Sequence, residues 1–216
     1  MTLITLLFNI FLFTQHSFVL QEGDLLFQDV DCGPFCEAIE KVTEGYQGSD
    51  LSHVGMVIKI ETEELRVIEA TTKGVILTPI EVFLAKSLDE NGKPKVLVGR
   101  MKDKYKPLIP LAKQHAQSLL GEKYDNIFDI NNDTYYCSEL VYEAFKNANE
   151  DEPIFNLYPM TFVDPDTEET FGIWVDYYLE LGVNIPEGEP GLNPGGISRS
   201  DKLSIIYNYQ AENGKE

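Results

Sequence analysis

The segment YYCSELVYEAF, residues 135–145, places a cysteine where a helix begins. Counting from Cys137, the positions three, four, seven and eight residues on are Leu140, Val141, Ala144 and Phe145, the stripe of a buried helical face. Cys137 therefore lies on the inward side of a first turn. There, unpaired backbone N–H groups and the positive end of the helix dipole favour a thiolate, and the same N–H groups can receive an oxyanion. Taken alone, a cysteine in such a place is more often simple packing than a nucleophile. A nucleophile needs a base. Of the three histidines, His16 falls in the apolar N-terminal stretch and His115, in LAKQHAQSLL, falls between Leu111 and Leu119 on a helical ladder and reads as packing. His53, in DLSHVGMVIKI, stands at the head of a strand and is the base available to a thiol: it would take the thiol proton and return it to the leaving group. Glu69, in LRVIEATT, is an acid within an otherwise apolar strand. A hairpin centred near Glu61 would pair it with His53 on one face, where a carboxylate fixes the ring's tautomer; a centre one or two residues later, or an acid pointing outward from an edge strand, are the alternatives.

Around these residues the pattern is mixed. GDLLFQ (23–28) reads as a first strand, followed by a helix in GPFCEAIEKVTEG that ends near Gly45. SHVGMVIKI and LRVIEATT make a hairpin about a polar loop, and GVILTP a further strand. IEVFLAKSL reads as a short helix, VLVGRM as a strand, and PLIPLAKQHAQSLLG as a helix opened by Pro107 and closed at Gly121. After the cysteine helix comes one more helix around TFGIWVDYYLELG, a Gly/Pro-rich loop from Pro186 to Gly196, and a closing strand, LSIIYNY. Strands and helices without regular βαβ alternation point to an α+β fold.

The ordered set GDLLFQ, SHVGMVI, VIEA, GEKYD and YYCSELVYEAF resembles the permuted papain-like group of the NlpC-type cysteine peptidases, the YiiX-like family. Each motif is weak by itself, and the five in this order are specific. The resemblance covers residues 23–147 clearly and the tail PGLNPGGISRSDKL less so. It implies a circularly permuted papain-like fold in which the cysteine helix packs on an antiparallel sheet, with Cys137 as nucleophile, His53 as general base and Glu69 as the residue that orients it. Tyr136 and Tyr124 would line the site or assist the oxyanion hole, and Asp125 would hold the loop before the cysteine helix. The reaction implied is amide cleavage through a thioester, without a cofactor, on a peptide or acyl-amide substrate. Cell-wall peptide leads, and acyl-lipid hydrolysis or transfer, or a binding module without turnover, are the alternatives.

Composition narrows the partners. A formal charge of −19 over 216 residues excludes nucleic acid, and no basic patch is present for an anionic membrane. Cys32, Cys36, His53 and Cys137 make a poor zinc set, because the second pair is split across the chain. Asp129, Asn131 and Asp133 resemble the start of a calcium loop but are followed by Thr134 and Leu140 where a glycine and an acid are required. The first twenty residues contain no charged side chain, and the apolar run Leu3–Phe13 has the length of a signal-peptide core. The expectation is an exported protein with a leader over 1–20 and one catalytic domain over 21–216. In that compartment Cys32 and Cys36 would form a disulfide; two reduced thiols are the alternative.

Overall fold

The structure is a computed structural model that describes residues 18–211. Apart from its last three residues, the expected leader lies outside the described residues. A six-stranded antiparallel sheet runs in the order β4-β3-β2-β1-β5-β8, with β1 Leu25–Gln28, β2 His53–Lys59, β3 Leu65–Thr71, β4 Gly74–Pro79, β5 Val96–Met101 and β8 Leu203–Asn208. The helices are α1 Pro34–Val42, α2 Ile80–Leu84, α3 Ile109–Ser118, α4 Cys137–Ala148, α5 Gly172–Leu181 and α6 Pro194–Ser198. A two-residue ladder joins β6 Tyr158–Pro159 to β7 Pro190–Gly191. The α+β expectation holds. Within the Gly/Pro-rich loop, however, the chain makes β7 and then α6, which Pro194 opens in its first turn and Asn193 caps by accepting a hydrogen bond from the Gly196 N–H.

The strand period divides the apolar residues between two layers. Val54, Met56 and Ile58 of β2, with Ile68 and Ala70 of β3, join Leu140, Val141, Ala144 and Phe145 of α4 in the main core. Val57 and Val67 point the other way, to Phe83 of α2, and Phe18 and Leu20 pack against that second cluster. Helix α3 packs on α4. Its inward residues are the small Ala112 and Ala116, which let the helices approach; Leu111 is exposed and His115 only half-buried, so of the expected Leu111–His115–Leu119 ladder Leu119 alone packs against the main core. A third cluster joins α1 to α5 through Ala38, Phe162, Trp174 and Tyr178.

The β2–β3 hairpin corrects the expected register. Its ladder pairs Met56 with Ile68 and Val57 with Val67, so the turn centres on Thr62 and the next rung sets Glu69 against Gly55, not against His53. The turn sets this: Ile60 and Glu64 close it by backbone hydrogen bonding while Glu63 takes a positive φ of 62°. The shift moves Glu69 two residues along the ladder, so it stays on the His53 face as a diagonal neighbour.

Candidate active site

Tyr136 is extended, with φ −90° and ψ 170°, and Cys137 is the first residue inside α4. The thiol is buried. The His53 ring and the Val54 backbone N–H act on it, and the Ser138 hydroxyl lies 3.8 Å away. Burial pushes the thiol's pKa up, but the hydrogen bond and charge of His53, helped by Ser138 and Val54, outweigh it and hold Cys137 below its ordinary value.

His53 Nε2 meets Glu69 Oε2 at 2.5 Å, which leaves Nδ1 for the thiol. Burial disfavours the imidazolium, yet the Cys137 hydrogen bond first, and then Glu69, raise the ring to about 9. Glu69 is buried, and burial pushes its carboxyl up; His53, Lys86 and Thr78 reverse this and lower it to about 2. The three side chains therefore form one relay in which the thiol, the imidazole and a fixed carboxylate stand in line, the arrangement that favours a thiolate–imidazolium pair.

The relay crosses the end of the sheet. Cys137 belongs to the α4 layer, whereas Glu69 has the strand parity of Val67 and lies on the α2 side. His53 bridges them because it is the first residue of β2, where the ring can reach round the strand end. Gly55 makes room: a Cβ there would collide with Val67 Cγ1 and stand 3.3 Å from Glu69 Cβ. On the α2 side, Thr78 donates to Glu69 Oε1 at 2.5 Å and the Lys86 ammonium lies 3.2 Å from Oε2. Sequence reading missed Thr78 and Lys86, whose part follows from the β3–β4 register and the placing of α2 rather than from any local motif.

Cys137 opens on a cleft of about 650 Å³. Phe128, Phe155, Phe162, Trp174 and Leu192 give it an apolar wall, and Arg199 and Lys202 also line it. Both expected tyrosines line it. Tyr124 is half-buried, and burial together with the charge of Cys137 keeps its phenol well above the ordinary value, so it is a neutral O–H donor. The Tyr136 hydroxyl accepts the Leu192 N–H at 3.3 Å, tying the tail to the cysteine helix. Asp125 is buried and accepts N–H bonds from Ile127 at 2.8 Å and Asp129 at 2.7 Å, shaping the loop before α4. Glu139, one turn into α4, accepts the Tyr136 N–H at 3.2 Å; burial first, then the Asp125, Glu143 and Asp129 carboxylates, raise it to about 9, so it is protonated at neutral pH.

Cys32 and Cys36 are joined in a disulfide at the start of α1, so neither is free to act as a thiolate ligand beside Cys137 and His53. Among the described residues no three His, Cys, Asp or Glu side chains converge as a metal site would require. His115 stays on α3, apart from the relay.

Comparison with known proteins identifies the family and the fold. The permuted papain-like amidase enzymes of the YaeF/YiiX type, C92 family, match over residues 19–207. The uncharacterised protein YiiX of Escherichia coli (strain K12) is 32% identical over 131 residues, which are 59% of this chain and 58% of that protein, so the match spans somewhat over half of the relative. Among solved structures, that of the metalloprotein YiiX from Escherichia coli O157:H7 superposes with a TM-score of 0.69 at 26% identity, covering 87% of this chain and 97% of that one.

Proposed function

Because the chain belongs to the permuted papain-like amidase family, a family of cysteine hydrolases, we propose that it cleaves an amide whose acyl part is apolar, through a thioester on Cys137. The observation that carries this is the Cys137–His53–Glu69 relay opening on an aromatic cleft. The thiolate attacks the amide carbonyl, and its oxygen becomes an oxyanion facing the first N–H groups of α4 and the Tyr124 hydroxyl. His53, charged, gives its proton to the leaving nitrogen as the C–N bond breaks. It then takes a proton from the water that attacks the thioester, and the thiolate is regenerated.

The lining favours an N-acyl amide or a lipid acyl group over the small, polar stem peptides of the cell wall. Cell-wall peptide stands as the second reading, supported by Arg199 and Lys202, which could pair with the carboxylates of such a peptide. An N-acyl amino-acid amide and purified cell-wall peptides, incubated side by side with the wild type and with Cys137→Ala, distinguish the two. Release of acyl product only by the wild type supports the first reading; turnover confined to the peptides supports the second. No Cys137-dependent turnover of either removes both.

The Cys32–Cys36 bridge and the uncharged, apolar N-terminal stretch support action in an exported, oxidising compartment. Intact-mass measurement of protein recovered from its native host tests this, since a retained N-terminus and free thiols would count against it. Among the described residues no helix is long and apolar enough to cross a membrane.

A further inference from the structure

Phe128 stands in the cleft wall with a backbone φ of 57°, in the left-handed region that bulky residues avoid. The loop that carries it is clasped from two sides. From beneath, the buried Asp125 carboxylate accepts the N–H groups of Ile127 at 2.8 Å and Asp129 at 2.7 Å, one on each side of Phe128. From α5, the Tyr177 hydroxyl donates to the Asn126 carbonyl at 2.8 Å and the Tyr178 hydroxyl to the Ile127 carbonyl at 3.4 Å. A glycine or asparagine would adopt this conformation without strain. The strained residue is instead an aromatic one, and it is only half-buried, so core packing alone does not account for it.

The ring's surroundings say what the strain achieves. Phe128 meets Tyr136, the residue before the nucleophile, edge-on at 5.3 Å between ring centroids, and Trp174 at 6.0 Å. It thus links the cysteine end of the cleft to the aromatic wall of Trp174 and Phe162. Strain held at a site surface by hydrogen bonds on both sides is the pattern of a pre-organised contact.

We infer that Phe128 is a specificity-determining residue: Asp125 and the two α5 tyrosines hold its ring in the cleft to receive the apolar part of the acyl group beside the scissile carbonyl. This rests on the proposed cysteine chemistry and adds the residue that selects the acyl group. Sequence reading gave Asp125 a loop-holding role and assigned none to Phe128.

Two alkylating probes test it, and neither requires the natural substrate. Iodoacetamide is small and reports on the thiolate. 1-Chloroundecan-2-one, the chloromethyl ketone of decanoic acid, presents an apolar acyl chain directly on the carbonyl that stands for the scissile one, and alkylates when the thiolate sulfur displaces chloride from the chloromethyl carbon. The quantity read is the ratio of the second-order rate constants, chloromethyl ketone over iodoacetamide, for the full chain with its disulfide intact. We expect the ratio to fall at least tenfold in Phe128→Ala and Phe128→Asn, and to stay within about threefold of wild type in Phe128→Leu, which keeps apolar bulk. Phe128→Gly should melt no lower than Phe128→Ala, reversing the usual glycine penalty, because the backbone there is left-handed. An unchanged ratio in Phe128→Ala, or an equal fall in both rate constants, would overturn the inference and leave Phe128 as packing for Tyr136. Should Phe128→Ala not fold, Phe128→Asn and Phe128→Leu give the same comparison. A wild type whose Cys137 is labelled no faster than an ordinary thiol removes the cysteine chemistry itself, a different failure with its own signature.

Discussion

Glu69→Gln keeps the size and hydrogen-bonding shape of the side chain and removes its charge. The shift of His53 from its ordinary 6.5 to about 9 corresponds to roughly 3 kcal/mol of preference for the imidazolium. Cys137 and Glu69 are the partners that raise it, against the burial that opposes it. Removing one of two partners forfeits on the order of half, ~1.5 kcal/mol, or about one pH unit. Because the burial cost remains, this is the smaller end of the effect. His53 should then lose its proton near pH 8 or below instead of near 9. The weaker imidazolium also makes the thiol less acidic, so the acid limb of Cys137 alkylation should move up by a comparable amount. The window in which thiolate and imidazolium coexist narrows from both sides. With three histidines in the chain, the His53 ring can be followed by NMR of 15N-histidine-labelled protein, alongside iodoacetamide rates from pH 4 to 10. A Glu69→Gln protein that folds normally yet keeps both limbs where the wild type has them would refute the reasoning.

Three further outcomes follow from the same geometry. Gly55→Ala should destabilise by about 1–3 kcal/mol through overpacking against Val67, and should slow Cys137 labelling at pH 6 by displacing Glu69 from His53; denaturant unfolding and labelling rates check the two parts. Glu139 has a folded pKa of about 9, above the ordinary 4.5, so the folded state holds the extra proton across that range and stability falls as pH rises through it. Glu139→Gln should flatten that fall and raise Tm at pH 8 relative to pH 5 by roughly a few degrees; parallel melting curves would sink this account. Reducing Cys32–Cys36, or changing both to Ser, should cost about 2 kcal/mol for so short a loop while leaving the Cys137 labelling rate unchanged, as measured by unfolding with and without reductant.

Much of this architecture was legible in the sequence because it follows from period and residue type. Alternation in SHVGMVIKI and LRVIEATT identified the hairpin, and the stripe after Cys137 identified the buried helix. His53 and Glu69 were identifiable as residues polar for their place. Their exact pairing was not, because one left-handed residue in the turn, Glu63, moves the register. Nor was the crossing of the relay from one side of the sheet to the other, which depends on His53 being the first residue of its strand. Thr78 and Lys86 reach Glu69 only once β4 and α2 are folded beside it. The helix that Asn193 caps and Pro194 opens was not legible, because it lies among glycines and prolines that read as loop. The cleft wall was the least legible part: residue type does not tell core from pocket lining at Phe155, Phe162 and Trp174, and the fold makes them both, buried in the core and lining the cleft.

The central claim is that Cys137 is held as a thiolate by His53, and a short iodoacetamide pulse at pH 6 tests it most directly, read by peptide mass spectrometry on the wild type and His53→Ala. The account predicts rapid carboxamidomethylation of Cys137 in the wild type and a loss of at least tenfold in the variant. Equal, slow labelling in both, rising only as pH approaches the ordinary thiol range of about 8.5, would contradict it and make Cys137 a buried core residue that happens to carry sulfur.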